Sequence, residues 1–324
     1  MTRLIIDCDP GHDDAMAILY AARHLNLIAL TTVFGNTSLQ NTTRNALAIC
    51  ALAGLDIPVA AGMSEPLVAT RSTAADIHGH GGLDGAALPE PTRAPDPRHA
   101  VQLIIDEARA HPGELTLAPI GPLTNIAVAL KTEPRLAHWL KGITWMGGST
   151  TVGNITAMAE FNAYCDPEAA AVVFASGVPI HMAGLNVTRQ AGIGPEHLAQ
   201  LAATGGPVGR CFAGLLGFYL ARTREIFGLT HASMHDPCAL LPLIRPDLIT
   251  HQLAPVHIEL ASPQLRGMTA CDLRRVNAES ARTVHPNARA NAHVAVAIDG
   301  RAALDHVIRT LISYDDRPAR PEAR

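Results

Sequence analysis

Four aspartates fall within eight residues of the stretch Asp7-Cys8-Asp9-Pro10-Gly11-His12-Asp13-Asp14. Carboxylates this dense repel one another unless a positive charge is held among them. One such residue could simply cap a helix or sit solvated in a turn. Four together point to metal binding or to acid–base catalysis. A purely oxygen donor set suits Ca²⁺ or Mg²⁺ rather than Zn²⁺, which prefers nitrogen and sulfur. His12 reads differently: a lone histidine in a turn is expected to face solvent or to hydrogen-bond locally.

The flanking residues say how the acids are held. Leu4-Ile5-Ile6 is an apolar, β-branched run of strand length, Pro10-Gly11 breaks it, and Ala15 to Leu25 reads as a mostly apolar helix. Asp7 and Asp9 leave the strand on one side, and Asp13 and Asp14 stand at a helix start, where the dipole favours negative charge. In open α/β sheets ligands bind at this carboxyl edge of the strands. The alternation continues downstream: strands at 27–33, 58–61, 115–120, 142–146 and 179–185, helices at 42–54, 100–111, 123–131 and 167–176. Helices follow near 195–204, 207–227, 236–244 and 301–314. Residues 64–98 carry no clear period and read as a long loop. The expectation is a single α/β domain over 1–314, a Rossmann-like open and mostly parallel sheet flanked by helices, with a small antiparallel part near 253–298. The charged, proline-containing stretch 315–324 is expected to be a disordered tail.

Several further stretches each follow an expected strand: Val33-Phe34-Gly35-Asn36, Ala118 to Asn125, Trp145-Met146-Gly147-Gly148, and Asn154 ahead of Ala159-Glu160-Phe161-Asn162, with His235-Asp236-Pro237 opening a buried helix. Singly, each has a bland reading as a cap, a turn or a surface acid. In order and context they resemble, over nearly the whole chain, the nucleoside hydrolases of the inosine–uridine type, whose DxDPGxDDA signature matches residues 7–15.

That resemblance implies a Ca²⁺-dependent cleavage of the N-glycosidic bond of ribonucleosides. Asp9, Asp14 and Asp236 resemble the Ca²⁺ carboxylates, with the main-chain carbonyl of Ile120 completing the protein ligands. Asp9 also resembles the general base. Asp13, Asn36, Asn162 and Asp236 resemble ribose-hydroxyl binders, and Asn154 and Glu160 contacts to the 5′-hydroxyl. Met146 and Phe161 match pocket positions, His78 lies in a loop facing the base, and His235 resembles the residue beside the leaving base. Asp7 would orient the metal site from behind. Phe227 lies near where several relatives carry a tyrosine, and His231 is a candidate substitute. The residue types suit the chemistry: positive charge develops on the sugar ring, and preorganised oxygens stabilise it.

Two other readings stand beside this one. Asp7-Cys8-Asp9 after a first strand resembles the DxD of Mg²⁺-dependent aspartate-nucleophile phosphatases, although Pro10-Gly11 fits that pattern poorly and lysines are scarce. A nucleoside-binding protein without turnover is the other. Bulk properties bound the choice. With 48% hydrophobic and 17% charged residues, a net charge of −4 and no long basic run, the chain is globular and carries no nucleic-acid or anionic-membrane surface. No stretch reaches transmembrane length. Six scattered cysteines read as free thiols of a cytoplasmic protein. The expected partner is a small ribonucleoside, and a homo-oligomer, tetramer or dimer, is the default assembly.

Overall fold

The structure, a computed structural model, describes residues 2–274 and 289–316. In chain order the elements are β1 (Arg3–Cys8), α1 (His12–His24), β2 (Asn26–Thr32), α2 (Leu39–Ala53), β3 (Val59–Ala61), α3 (Ala75–His78), α4 (Ala100–Ala110), β4 (Leu115–Pro119), α5 (Thr124–Thr132), α6 (Leu136–Trp139) and β5 (Leu140–Met146). Then come α7 (Phe161–Cys165), α8 (Pro167–Phe174), β6 (Ile180–Ala183), α9 (Leu185–Thr188), β7 (Gly192–Ile193), α10 (Pro195–Ala203), α11 (Pro207–Phe227), β8 (Ala232–Ser233), α12 (Pro237–Ile244), β9 (Ile249–Ala254), β10 (Val256–Ile258), β11 (Thr269–Cys271), β12 (Ala292–Ile298) and α13 (Gly300–Ile312).

Eight of these strands form one sheet in the order β3-β2-β1-β4-β5-β6-β12-β9. Every described pairing in it is parallel except β12 with β9. The strand order reverses direction between β1 and β4, which opens a crevice at their carboxyl ends. The expected single α/β domain with a mostly parallel sheet is therefore present. The antiparallel part consists of β9 against β12 and the β10–β11 hairpin.

β1 shows why the sheet is central. Its side chains alternate between two cores: Leu4, Ile6 and Cys8 pack with α1, α11 and α12 on one face, and Ile5 packs with α4 and α5 residues on the other. All four are fully buried. A strand covered on both faces reads as a continuous apolar run, as Leu4-Ile5-Ile6 does. Helix α1 is buried from His12 to Ala21, so the acids at its start are carried into the interior. Residues 64–98 are mostly loop, with the short α3 inside it.

Short helices α6, α7 and α9 were not expected from the sequence; each has only four or five residues. The described cysteines are free, all buried except the half-buried Cys271. Asp315, placed by the sequence in a disordered tail, is tied to the body through Thr204, Val208 and Gly209. Residues 317–324 lie outside the described residues. Among the described residues no helix is long and apolar enough to cross a membrane.

Candidate active site

The acid cluster sits at the crevice between the ends of β1 and β4. Asp9 leaves β1 as the strand ends, and its main-chain N–H donates to Asp14 Oδ1 at 3.2 Å. Asp14 Oδ2 accepts the N–H of Gly11 at 2.9 Å, which ties the turn to the first turn of α1. Asn36, beyond β2, donates its main-chain N–H to Asp9 Oδ2 at 2.7 Å and its amide to the Asp9 carbonyl at 3.0 Å. Two glycines make room for the Asp9 carboxylate. A Cβ at Gly35 would lie 2.0 Å from Oδ2, and one at Gly121 would lie 2.4 Å from Oδ1.

Asp13, Asp14 and Asp236 each bring one oxygen within 4.8 Å of the others. All of these acids are buried. Burial raises the pKa of Asp13 and Asp14, and it raises those of Asp9 and Asp236 well above the ordinary carboxylate value. For Asp9 the neighbouring Asp14 charge adds to burial, and for Asp236 the charges of Asp13 and Asp14 do so. Asp9 Oδ1 is buried with no hydrogen-bond partner. An orphaned carboxylate oxygen beside three clustered carboxylates is a hard, anionic donor set, and it fits a divalent cation of the Ca²⁺ or Mg²⁺ type. The trio whose oxygens gather within 4.8 Å contains Asp13, with Asp9 tied to Asp14 through its main-chain N–H, whereas the sequence places Asp9 among the ligands and Asp13 on the sugar.

On the β4–β5 side, the Asn162 amide donates to the Ile120 carbonyl at 3.0 Å and to the Met146 carbonyl at 3.1 Å. This joins three of the expected residues and fixes the amide's orientation. Glu160 caps α7: its oxygens accept the N–H groups of Asn162 (2.9 Å), Ala163 (3.1 Å) and Gly148 (2.8 Å). Burial pushes its carboxyl up to about 7, against those hydrogen bonds. Asn154 is exposed at the rim, and its Oδ1 accepts the N–H of Phe161 at 2.8 Å. Phe161 is half-buried against Val33, Phe34 and Cys165.

The histidines form the other wall. His12 is buried rather than solvent-facing, and its Nε2 lies 2.8 Å from the Asp84 carbonyl. Burial lowers its pKa to about 4 and takes that of His78 well below normal. Both rings are therefore neutral. A carbonyl only accepts, so His12 carries its hydrogen on Nε2 and presents a bare Nδ1. His78 Nδ1, 2.9 Å away, must then be the donor, which leaves His78 Nε2 as a bare acceptor. The 3.4 Å approach of the His12 main-chain N–H to the same Nδ1 is the weaker contact. Tyr219 stacks on both rings. His235 Nδ1 lies 2.7 Å from the Thr188 hydroxyl, and burial, then the Arg189 charge, lowers its pKa to about 4. His231 and Phe227 are exposed.

Three supporting residues went unread in the sequence. Thr31 and Asn125 hold Asp7 Oδ1 at 2.6 and 2.7 Å, and burial raises the Asp7 carboxyl to about 7. Thr188 orients His235. Of these only Asn125 lay in a stretch that drew attention; Thr31 and Thr188 carry no local signal.

Comparison with known proteins is consistent along the chain. Residues 4–305 match the family model described as inosine-uridine preferring nucleoside hydrolase. The chain is 42% identical over 272 residues to the pyrimidine-specific ribonucleoside hydrolase RihB of Escherichia coli K12, covering 83% of this chain and 87% of that protein. A purine-preferring ribonucleoside hydrolase from Gardnerella vaginalis superposes with a TM-score of 0.89 at 31% identity, over 97% of this chain and 99% of that one. The plant nucleoside hydrolase PpNRh1 superposes with a TM-score of 0.86 at 30% identity, over 98% and 99% of the two chains.

Proposed function

Because the chain belongs to the inosine–uridine preferring nucleoside hydrolase family and is thus a ribonucleoside hydrolase, we propose that it is Ca²⁺-dependent and prefers pyrimidine ribonucleosides. The observation that carries the metal reading is the orphaned Asp9 Oδ1 beside the Asp13, Asp14 and Asp236 oxygens. Asp9, Asp14 and Asp236 would hold Ca²⁺ with the Ile120 carbonyl, and Asp13 stands close enough to join them. When bound, the ion supplies positive charge that acidifies a water and grips vicinal hydroxyls.

The chain's own residues do the rest. Asp9 accepts the proton of the attacking water. Asp13, Asn36, Asn162 and Asp236 fix the ribose hydroxyls, and Asn154 and Glu160 fix the 5′-hydroxyl. Met146 and Phe161 line the sugar pocket and shield it from bulk water. As the glycosidic bond lengthens, the carboxylates and the Asn162 amide oxygen stabilise the positive charge on the sugar. His78, with its bare Nε2, faces the base as an acceptor. His235, held by Thr188 and kept neutral, acts on the departing base as a hydrogen-bond donor through Nε2 once the Thr188 hydroxyl donates to Nδ1.

The pyrimidine preference is supported by the 42% identity to a pyrimidine-specific enzyme, against 31% to a purine-preferring one. The assembly and compartment in this proposal are a homo-oligomer, tetramer or dimer, in the cytoplasm. A phosphatase finds no support: Lys131 and Lys141 are exposed, the latter at the amino end of β5, away from the acids.

The test is a panel of uridine, cytidine, inosine and adenosine with their 2′-deoxy forms, read by release of reducing sugar. Uridine and cytidine should lead. The deoxy forms should fall by about 10⁴-fold, since a site built around a hydroxyl leaves buried polar groups unpaired without it. Purines leading would end the base assignment, and equal kcat/KM for uridine and deoxyuridine would end the ribose contacts.

A further inference from the structure

The chain leaving β5 and the four-residue helix α9 run side by side, and three ties step along them. The Leu185 N–H donates to the Gly148 carbonyl at 3.0 Å. The Thr150 N–H donates to Asn186 Oδ1 at a longer 3.4 Å. Arg189 Nη2 then donates to the Gly153 carbonyl at 2.7 Å. The two segments come close at the start, where a Cβ on Gly184 would lie 2.9 Å from the Gly148 carbonyl oxygen. The third tie lands one residue before Asn154. Beside Arg189, Thr188 holds His235. One short helix thus reaches both ends of the site: the segment assigned to the 5′-hydroxyl and the residue assigned to the leaving base.

Residues 151–158 need such a tie. Most of them are exposed, and their hydrogen bonds stay largely inside the segment. The Gly153 N–H donates to the Ala157 carbonyl at 2.9 Å, and those of Asn154 and Ile155 donate to the Ala159 carbonyl at 3.1 and 3.3 Å. A loop knotted on itself keeps its shape, but a surface segment is placed on the body only by what grips it. Among the described residues, Arg189 is the one side chain outside 149–161 that hydrogen-bonds this segment. Its charge strengthens the bond to the carbonyl. The guanidinium also stands within electrostatic reach of both ends of the site. Burial lowers its pKa while the Glu160 charge holds it up, and its own charge acts on His235.

We propose that Arg189 is a positioning residue for the 5′-hydroxyl: by gripping the Gly153 carbonyl it sets the 151–158 segment so that Asn154 meets the sugar. The proposal rests on the reading of Asn154 and Glu160 as the 5′-hydroxyl contacts. Asn154 Oδ1 is taken by the Phe161 N–H at 2.8 Å, which leaves the amide N–H groups to donate to the hydroxyl oxygen. Asn154 is therefore held from two directions, by α7 through Phe161 and by the end of α9 through Gly153 and Arg189. Without the second hold the amide pivots on the first, and small misplacements of a positioned group are costly.

Uridine and 5′-deoxyuridine, cleaved by the full-length protein and its variants and read as kcat and KM, decide the matter. The wild-type protein should favour uridine. Arg189→Ala should lower kcat/KM for uridine about tenfold and leave 5′-deoxyuridine close to its wild-type value, with the thermal unfolding midpoint held. Arg189→Lys, which keeps a charged donor, should restore most of the loss on uridine. A wild-type protein that treats the two substrates alike would remove the 5′-hydroxyl reading itself, and this proposal with it. Wild-type discrimination together with an equal loss on both substrates in Arg189→Ala, or no loss on either, would leave that reading standing and overturn the role of Arg189.

Discussion

Asp9 and His235 should fail in different ways. Asp9 serves the water and the cation together. Asp9→Asn keeps the shape and the hydrogen bond from Asn36 but cannot take a proton, so cleavage of every nucleoside should drop by about 10²–10⁴-fold. His235 is held by Thr188 and stays neutral over the physiological range, so its contribution falls on the leaving base alone. His235→Ala should depress uridine and inosine cleavage strongly yet spare p-nitrophenyl riboside, whose leaving group needs no proton. A uniform loss across all three substrates would mean that His235 only braces the neighbouring Asp236. Residue types at this scale were legible because Asp7 to Asp14 are contiguous. The tautomer of His78 was not, since it depends on Asp84 and His12 closing a chain across 72 residues.

Among the elements, helix starts carry much of the organisation, and they differ in how well the sequence announces them. The strand-turn-helix of β1 and α1 is visible because an apolar run, Pro10-Gly11 and an acidic first turn lie side by side. Helix α7 is too short for an apolar repeat to show, and its cap, Glu160, also reaches back to Gly148. A residue expected only to meet substrate is therefore structural as well. Helix α11 is capped from far along the chain: Asp315 accepts the N–H groups of Val208 at 3.0 Å and Gly209 at 2.7 Å, and the Thr204 hydroxyl at 2.7 Å. No local pattern announces a cap whose partners lie 106 and 107 residues away. Asp315→Ala should cost about 1 kcal/mol by denaturant unfolding, the usual worth of an N-cap. Although α11 also carries Tyr219, which stacks on His12 and His78, that residue lies about three turns beyond the capped end, so uridine kcat should hold while the unfolding midpoint falls. A lost kcat at full stability would refute that division.

For the molecule as a whole, buried acids and buried histidines pull stability in opposite directions with pH. His12, His235 and His251 have folded values near 4, below the ordinary 6.5. As pH drops below 6.5 the unfolded chain takes up protons that the folded one refuses, so their contribution is complete above that pH and is lost toward pH 4. Asp7 and Glu160 have folded values near 7, above the ordinary 3.8 and 4.5. Their contribution is complete below those values and is lost as pH rises through 7. Burial raises Asp9, Asp13, Asp14 and Asp236 in the same direction, and a cation held among these four offsets their loss because it competes with protons for their oxygens. Ca²⁺ should therefore raise Tm more at about pH 8 than at about pH 5, and chelation should lower it correspondingly; an equal shift at both would argue against carboxylate ligation. The sheet order has another consequence, for how the protein is made. β12 lies between β6 and β9, so β9, synthesised some 40 residues earlier, has no sheet partner among the described strands until β12 arrives. Until then two strand edges stand open, one on β6 and one on β9, each a template for pairing with another chain. A chain stopped short of Ala292 is thus a candidate for aggregation and proteolysis, even though every acid of the site has already been built.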